Sequence, residues 1–235
     1  MVRTVLLPGL GADARLFKPQ LDAMPGLEVP DWPDAGPGDT LRTIAERLWT
    51  TLDPSGPWVV GGMSFGGQVA MELARLGSER GTAPKAVVLI ASCRCADAIP
   101  GQFRVAEALG RPVPAGLTRA GLGTLSGLFI QRERLAGDDA EAVRATARDL
   151  DIARLKRLAR LCAQWTFSRA DAQHVVESGT NVVQIHGQRD WVIPLIPAAR
   201  HDPTEVIPGA RHLINLSHAD RVNDAIRRSQ DAASA

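Results

Sequence analysis

Three observations predict that this 235-residue chain forms an α/β fold, a mostly parallel sheet with covering helices and a small helical insertion. Short runs rich in β-branched residues recur near 2–7, 58–63, 86–91, 181–186 and 204–207. Helical stretches alternate with them, the pattern of strands joined by crossover helices. One strand also ends on a serine framed by glycines, Gly62-Met63-Ser64-Phe65-Gly66, and a helix begins there.

The elements follow in order. Met1-Val2-Arg3-Thr4-Val5-Leu6-Leu7 is too short an apolar run for a signal peptide and reads as the first strand. The next helix starts near Asp13 or Ala14 and carries Leu16, Phe17 and Leu21. A short, proline-bounded strand is expected at Leu27-Glu28-Val29. Leu41, Ile44, Ala45 and Leu48 mark an amphipathic helix with Asp39 or Thr40 as its cap. Trp58 to Met63 is a strand, Gln68 to Leu76 a helix, and Ala86-Val87-Val88-Leu89-Ile90 a further strand.

From about residue 97 to 170 the alternation breaks and the chain looks helical, with Gly and Pro clusters at Gly110-Arg111-Pro112-Val113-Pro114 and Gly121-Leu122-Gly123. The expected organisation is core at 1–96, insertion at 97–170, and core again at 171–235. Within the insertion, Ile152, Leu155, Leu158 and Leu161 or Cys162 form an apolar stripe. Arg154, Lys156, Arg157 and Arg160 occupy the other sides. They read as a solvated face, or as cations attracting an anionic thioester substrate. The tail from Arg227 to Ala235 is polar and expected to fray.

Strand, G-x-S-x-G, helix is the context that lifts a serine out of the backbone as a nucleophile. The turn is so sharp that residues two before and two after the serine crowd it, and Gly62 and Gly66 relieve that crowding. Gly67 gives the helix room to approach the strand. A serine hydroxyl needs a base, and the base a partner. Asn181 to Asp190 reads as a β-branched strand and a glycine turn, which sets Asp190 at the carboxyl end of a parallel strand. Asp190 could instead cap the turn or helix that follows at Pro194. Beyond the next strand, Glu205-Val206-Ile207, the loop Pro208-Gly209-Ala210-Arg211-His212 offers His212 as base. His186 is read as a structural residue with a local hydrogen bond, and His218 as an exposed residue of the last helix. His174 and His201 have no partner pattern.

Four segments together resemble the α/β-hydrolase superfamily, and within it the small bacterial hydrolases that include the pimeloyl-carrier-protein methyl esterase group and related carboxylesterases. Leu6-Leu7-Pro8-Gly9-Leu10-Gly11 is similar to the oxyanion-hole loop, Gly62 to Gly66 to the nucleophile elbow, His186 to Asp190 to the acid loop, and Gly209 to Leu213 to the base loop. The resemblance implies the α/β-hydrolase fold and a catalytic triad in the order Ser64, Asp190, His212. It implies an oxyanion hole from the backbone N–H groups of Leu10 and Phe65, and a helical lid at 97–170. Asp97 is the reserve acid, because some members take theirs from the loop after the preceding strand. Gly11, Trp165, Trp191 and Leu213 are candidate pocket residues, although Trp165 and Trp191 read first as packing residues. Two departures stand out. Pro8-Gly9 replaces the common His-Gly, and the usual first two antiparallel strands have no counterpart, so the sheet edge should differ.

Composition narrows the partners. A net charge of +1 gives no reason to invoke nucleic acid. Three cysteines, Cys93, Cys95 and Cys162, fit reduced thiols of a cytoplasmic enzyme, and Cys93-Arg94-Cys95 lacks metal-site spacing. No cofactor and no metal are expected, and no run is long enough to span a membrane. The expected activity is hydrolysis of a small-molecule carboxylic ester or thioester through an acyl-enzyme on Ser64, with a carrier-protein or coenzyme A thioester as one option. C–C bond hydrolysis, acyl transfer or a lyase step could use the same residues, and a ligand-binding or signalling protein could use the same scaffold. Haloalkane-type chemistry would want a carboxylate at position 64.

Overall fold

The computed structural model describes residues 2–199 and 203–234. The first half runs β1 (Arg3–Leu7), a 3-10 turn at Ala14–Phe17, α1 (Lys18–Ala23), β2 (Leu27–Glu28), α2 (Leu41–Leu52), β3 (Trp58–Met63), α3 (Phe65–Glu79) and β4 (Ala86–Ile90). Four helices follow: α4 (Gly101–Gly110), α5 (Ala115–Glu133), α6 (Gly137–Asp149) and α7 (Ile152–Ala163). The chain then returns through α8 (Arg169–Glu177), β5 (Asn181–Gly187), α9 (Leu195–Ala199), β6 (Glu205–Ile207), α10 (Ile214–Ser217) and α11 (Ala219–Ser234).

The strands form one sheet in the order β2-β1-β3-β4-β5-β6, and every neighbouring pair is parallel. Val60 of β3 lies between Val5 of β1 and Val87 of β4. Strands covered on both faces must be apolar on both, which explains the unbroken Val, Leu and Ile runs. Val5, Leu7, Val60, Val87 and Leu89 point into one layer, packed against α2 and α3. Leu6, Val59, Met63, Val88 and Ile90 point into the other, with α11 and the 3-10 turn. Each such side chain contributes about 1.5–3 kcal/mol by leaving water.

Local chemistry sets the boundaries. Asp13 caps the 3-10 turn through Arg15 N, and Thr40 caps α2 in a reciprocal capping box with Thr43. Asp39 instead accepts Gly36 N–H and pairs with Arg47. The Gly110–Pro114 cluster separates α4 from α5, whereas Gly121 and Gly123 lie inside α5, which runs through them without a break. Lys156 is not a solvated cation: its Nζ donates to Gly110 O at 3.1 Å and also to Val113 O, holding that turn. Arg157 and Arg160 are exposed, as expected. His218 falls outside α11. It closes α10, its N–H donating to Ile214 O, and its ring meets Ser217 Oγ at 2.9 Å. His174 is exposed on α8, and His201 lies outside the described residues.

Candidate active site

Because the sheet is parallel, the carboxyl ends of β3, β5 and β6 share one edge, and the three candidate residues project from them. Ser64 sits between β3 and α3 with φ 53° and ψ −118°, a strained conformation for a residue with a side chain. Its N–H donates to Ile90 O at 2.9 Å, and Ser92 Oγ donates to Ser64 O at 2.6 Å, so the turn is held from β4 and the loop after it. The flanking glycines are required by space. A Cβ on Gly62 would stand 2.3 Å from Gly66 C, and one on Gly66 would stand 2.0 Å from Leu7 O. Gly67 makes room for Ser92, whose Oγ a Cβ there would meet at 2.4 Å, and also for the strand, since Gly62 O would stand 3.1 Å away.

Asp190 and His212 are both buried, and His212 Nδ1 lies 2.7 Å from Asp190 Oδ2. The carboxylate can only accept, so Nδ1 carries the proton and Nε2 remains for chemistry on the cavity side. Asp190 does the capping task as well: its Oδ1 accepts the N–H groups of Val192 and Ile193, each at 2.9 Å. His186 is buried beside it. Its Nε2 donates to Ile193 O at 2.8 Å and stands 3.2 Å from Asp190 Oδ2. Burial is the largest influence on the Asp190 carboxyl and pushes it up. His212 and His186 together outweigh it and hold the group well below the usual carboxylate range. Asp97 lies apart on the surface, paired with Arg169 at 2.7 Å and with Cys95.

The loops bearing Asp190 and His212 are stitched together. Gln188 N donates to Ile207 O, Arg189 N to Ala210 O at 2.8 Å, and Gly209 N to Gln188 Oε1 at 2.9 Å. Gly187 allows the crossing, because a Cβ there would lie 2.1 Å from Arg211 O.

Ser64 and His212 open onto one apolar cavity of about 350 Å³. Leu10, Gly11, Phe65 and Leu213 line it, as do Phe103, Leu122, Leu125, Phe129 and Leu155 from the inserted helices. The N–H groups of Leu10 and Phe65 take part in no hydrogen bond among the described residues, which leaves both free to serve an oxygen in the cavity. The Ser64 hydroxyl likewise has no hydrogen-bond partner among the described residues. Such bonds often tighten only around substrate. Cys162 also lines the cavity, but burial pushes its thiol up to about 12, so it is not a thiolate nucleophile. All three cysteines are free and buried.

Two candidates are not among the lining residues. Trp165 stacks on Phe167 and donates its indole N–H to the buried Glu72 at 2.9 Å. Burial is the main influence on the Glu72 carboxyl and pushes it up. Trp191 packs on Phe129 under the Arg132 guanidinium and donates to Glu133 Oε1 at 2.5 Å. In each case the indole N–H finds a carboxylate acceptor that does not itself line the cavity. Sequence reasoning placed Gly187 in its turn but missed two residues of the site, Ser92 and Glu133, neither of which carries a local signature. Among the described residues, no group of three or more His, Cys, Asp or Glu could hold a metal, and no helix is long and apolar enough to cross a membrane.

A profile of the Alpha/beta hydrolase family matches residues 4–225, nearly the whole chain. The chain belongs to the alpha/beta hydrolase family. That membership supports hydrolase activity. No curated protein matches the sequence. Solved structures share the fold at low identity. A thermophilic esterase from Thermogutta terrifontis superposes with a TM-score of 0.78 at 22% identity, covering 99% of this chain and 90% of its own. The enol-lactonase from Burkholderia xenovorans LB400 gives 0.74 at 16% identity, covering 98% and 92%. A structure described under novel epoxide hydrolases from hot-environment metagenomes gives 0.66 at 14% identity, covering 97% and 90%. Esterase, lactonase and epoxide-hydrolase descriptions on one fold mean that the reaction of this chain must be argued from its own site.

Proposed function

We propose that this chain is a serine hydrolase of small carboxylic esters or thioesters, with Ser64 as nucleophile, His212 as base and Asp190 as its orienting acid. The observation that carries the reading is the 2.7 Å Asp190–His212 pair facing the same cavity as a strained, glycine-framed serine. Ser64 Oγ attacks the acyl carbon while His212 Nε2 takes its proton. The carbonyl electron pair moves onto oxygen, where the N–H groups of Leu10 and Phe65 receive it, each worth on the order of 3 kcal/mol in such sites. As the tetrahedral intermediate collapses, His212 returns the proton to the departing alcohol or thiol, leaving an acyl-Ser64. Water then adds by the reverse route and releases the carboxylic acid. Asp190 keeps the imidazole in one tautomer and stabilises its cation without taking the proton.

The helices between residues 97 and 170 act as the lid. The cavity they help enclose is predominantly apolar and, at about 30 Å³ per group, holds roughly ten methylene-sized groups. A medium-length aliphatic acyl or alcohol chain suits it better than a charged one.

The test is labelling of the purified protein with a fluorophosphonate, read by intact mass beside folded Ser64→Ala and His212→Ala variants. One adduct is expected on the wild type, none on Ser64→Ala, and steeply slowed labelling on His212→Ala. A folded wild type that takes no label and turns over no ester of a graded chain-length series would overturn the proposal.

A further inference from the structure

Glu133 is buried at the last position of α5, where two effects oppose a carboxylate. It is removed from water, and it stands at the negative end of the helix dipole. Such a group persists in a fold when strong donors converge on it. Here both oxygens are used. Trp191 Nε1–H donates to Oε1 at 2.5 Å, and Leu213 N–H donates to Oε2 at 2.9 Å. Trp191 is the neighbour of Asp190, and Leu213 is the neighbour of His212. One inserted helix therefore holds, through one side chain, the residues next to both the acid and the base. Phe129 against the Trp191 ring and Arg132 above it, at 4.2 Å to the centroid, brace the same indole from the same helix.

We infer that Glu133 is a positioning residue that locks the Asp190 and His212 loops in register beneath the inserted helices. The inference rests on the triad proposed above. The chemistry of the clamp is specific. Both partners are N–H donors, so both side-chain atoms of residue 133 must be acceptors, and only a carboxylate of this length provides that. Glutamine has the same shape but one acceptor and one donor. With its oxygen on Leu213 N–H, its NH₂ faces the indole N–H, donor against donor. The buried mismatch should displace one loop or the other, and misplacement of about 1 Å near the reacting atoms can cost on the order of a hundredfold in rate.

Two measurements on Glu133→Gln test this. Against the best ester of the series, kcat should fall about ten- to a hundredfold with little change in KM. By NMR, the His212 Nδ1–H proton resonance should move upfield, because its hydrogen bond to Asp190 Oδ2 has lost its alignment. The decisive step is rescue. Trp191→Phe removes the opposing indole N–H, so Glu133→Gln combined with Trp191→Phe should recover part of the lost kcat and of the Nδ1–H resonance position, as an interacting pair does. Ile130→Ala, elsewhere on α5, should lower stability while leaving the Nδ1–H resonance in place.

A folded Glu133→Gln with kcat within about twofold of wild type and an unmoved His212 Nδ1–H resonance overturns the clamp, as does failure of the double variant to recover. If Glu133→Gln does not fold, Trp191→Phe alone carries the test. It breaks one of the two bonds and should move the Nδ1–H resonance in the same direction, and no movement overturns the inference. The NMR reading needs no turnover. A wild type inactive towards esters and fluorophosphonate refutes the proposed reaction, while the clamp stands or falls on that resonance.

Discussion

α3 and α5 are the two long helices that meet the candidate site, and they are built on opposite plans. α3 buries twelve of its fifteen residues, with its first turn wedged against β1 and the loop after β4. α5 buries two of nineteen, Ile130 and Glu133, and leaves Leu117, Leu125 and Leu128 exposed. α4 beside it buries none and exposes Val105 and Leu109. The proposed nucleophile, Ser64, is thus carried on the part of the molecule least able to deform, and the cavity walls on the part most able to. Precise placement of reacting atoms needs close packing all round, whereas a wall that must accept substrate needs slack. The difference separates chemistry from selectivity within one site.

The sharpest way to break that comparison is Gly66→Ala, whose new Cβ would overlap the Leu7 carbonyl. We expect destabilisation of about 3 kcal/mol or more and loss of the fluorophosphonate adduct, measured by urea denaturation and intact mass. A mild effect would mean that α3 is not the rigid body described. Next in size is Asp190→Asn, which leaves the imidazole without its acceptor. kcat should fall by on the order of 10³–10⁴. The same variant changes acid stability, with a definite sign. A carboxyl held low in the folded protein contributes stability that is complete above its unfolded pKa of about 4 and is lost as pH falls towards the folded value. Urea midpoints between about pH 2 and pH 6 should therefore decline less steeply in Asp190→Asn than in wild type.

Leu125→Ala sharpens the other half. Leu125 lines the cavity yet is exposed, so its truncation should move the preferred ester chain length while altering stability by no more than about 0.5 kcal/mol. The only gain is expected at Gly123 inside α5. A Cβ there meets nothing within 4 Å, so Gly123→Ala should stabilise by roughly 0.5–1 kcal/mol in the same denaturation assay. Glycine to alanine would then carry opposite signs in the two helices.

The same division governs what could be read from the sequence. The strands, α2, α3 and the loops bearing Ser64, Asp190 and His212 were legible, because full burial on both sheet faces leaves unbroken apolar runs and sharp turns leave glycines. The expectation of parallel strands with no antiparallel pair at the start of the sheet matches the structure. The inserted helices were legible only as helical. Gly121-Leu122-Gly123 looked like punctuation but is absorbed into α5, where flanking leucines and the preceding turns sustain the helix. Lys156 looked solvated and is a clasp on the α4–α5 turn, since a flexible amine can reach any carbonyl that a fold brings near. Trp165 and Trp191 read first as packing residues and only second as pocket walls, and each packs on an aromatic ring with its indole N–H on a carboxylate that does not line the cavity. Glu133 sits in Gln131-Arg132-Glu133-Arg134, a run that reads as solvent-facing. Nothing local distinguishes it, because its partners lie 58 and 80 residues further along the chain.

The stitched loops after β5 and β6 have a consequence for exchange with solvent. The amides of Gln188 and Arg189 are bonded to Ile207 O and Ala210 O, across the gap that the Asp190–His212 contact also bridges. Any opening that frees those amides to deuterium should also part Asp190 from His212. Their exchange rates would therefore clock how often the molecule stands momentarily without the proposed acid–base pair, a dead time measurable with no substrate present and separable from whatever the inserted helices are doing.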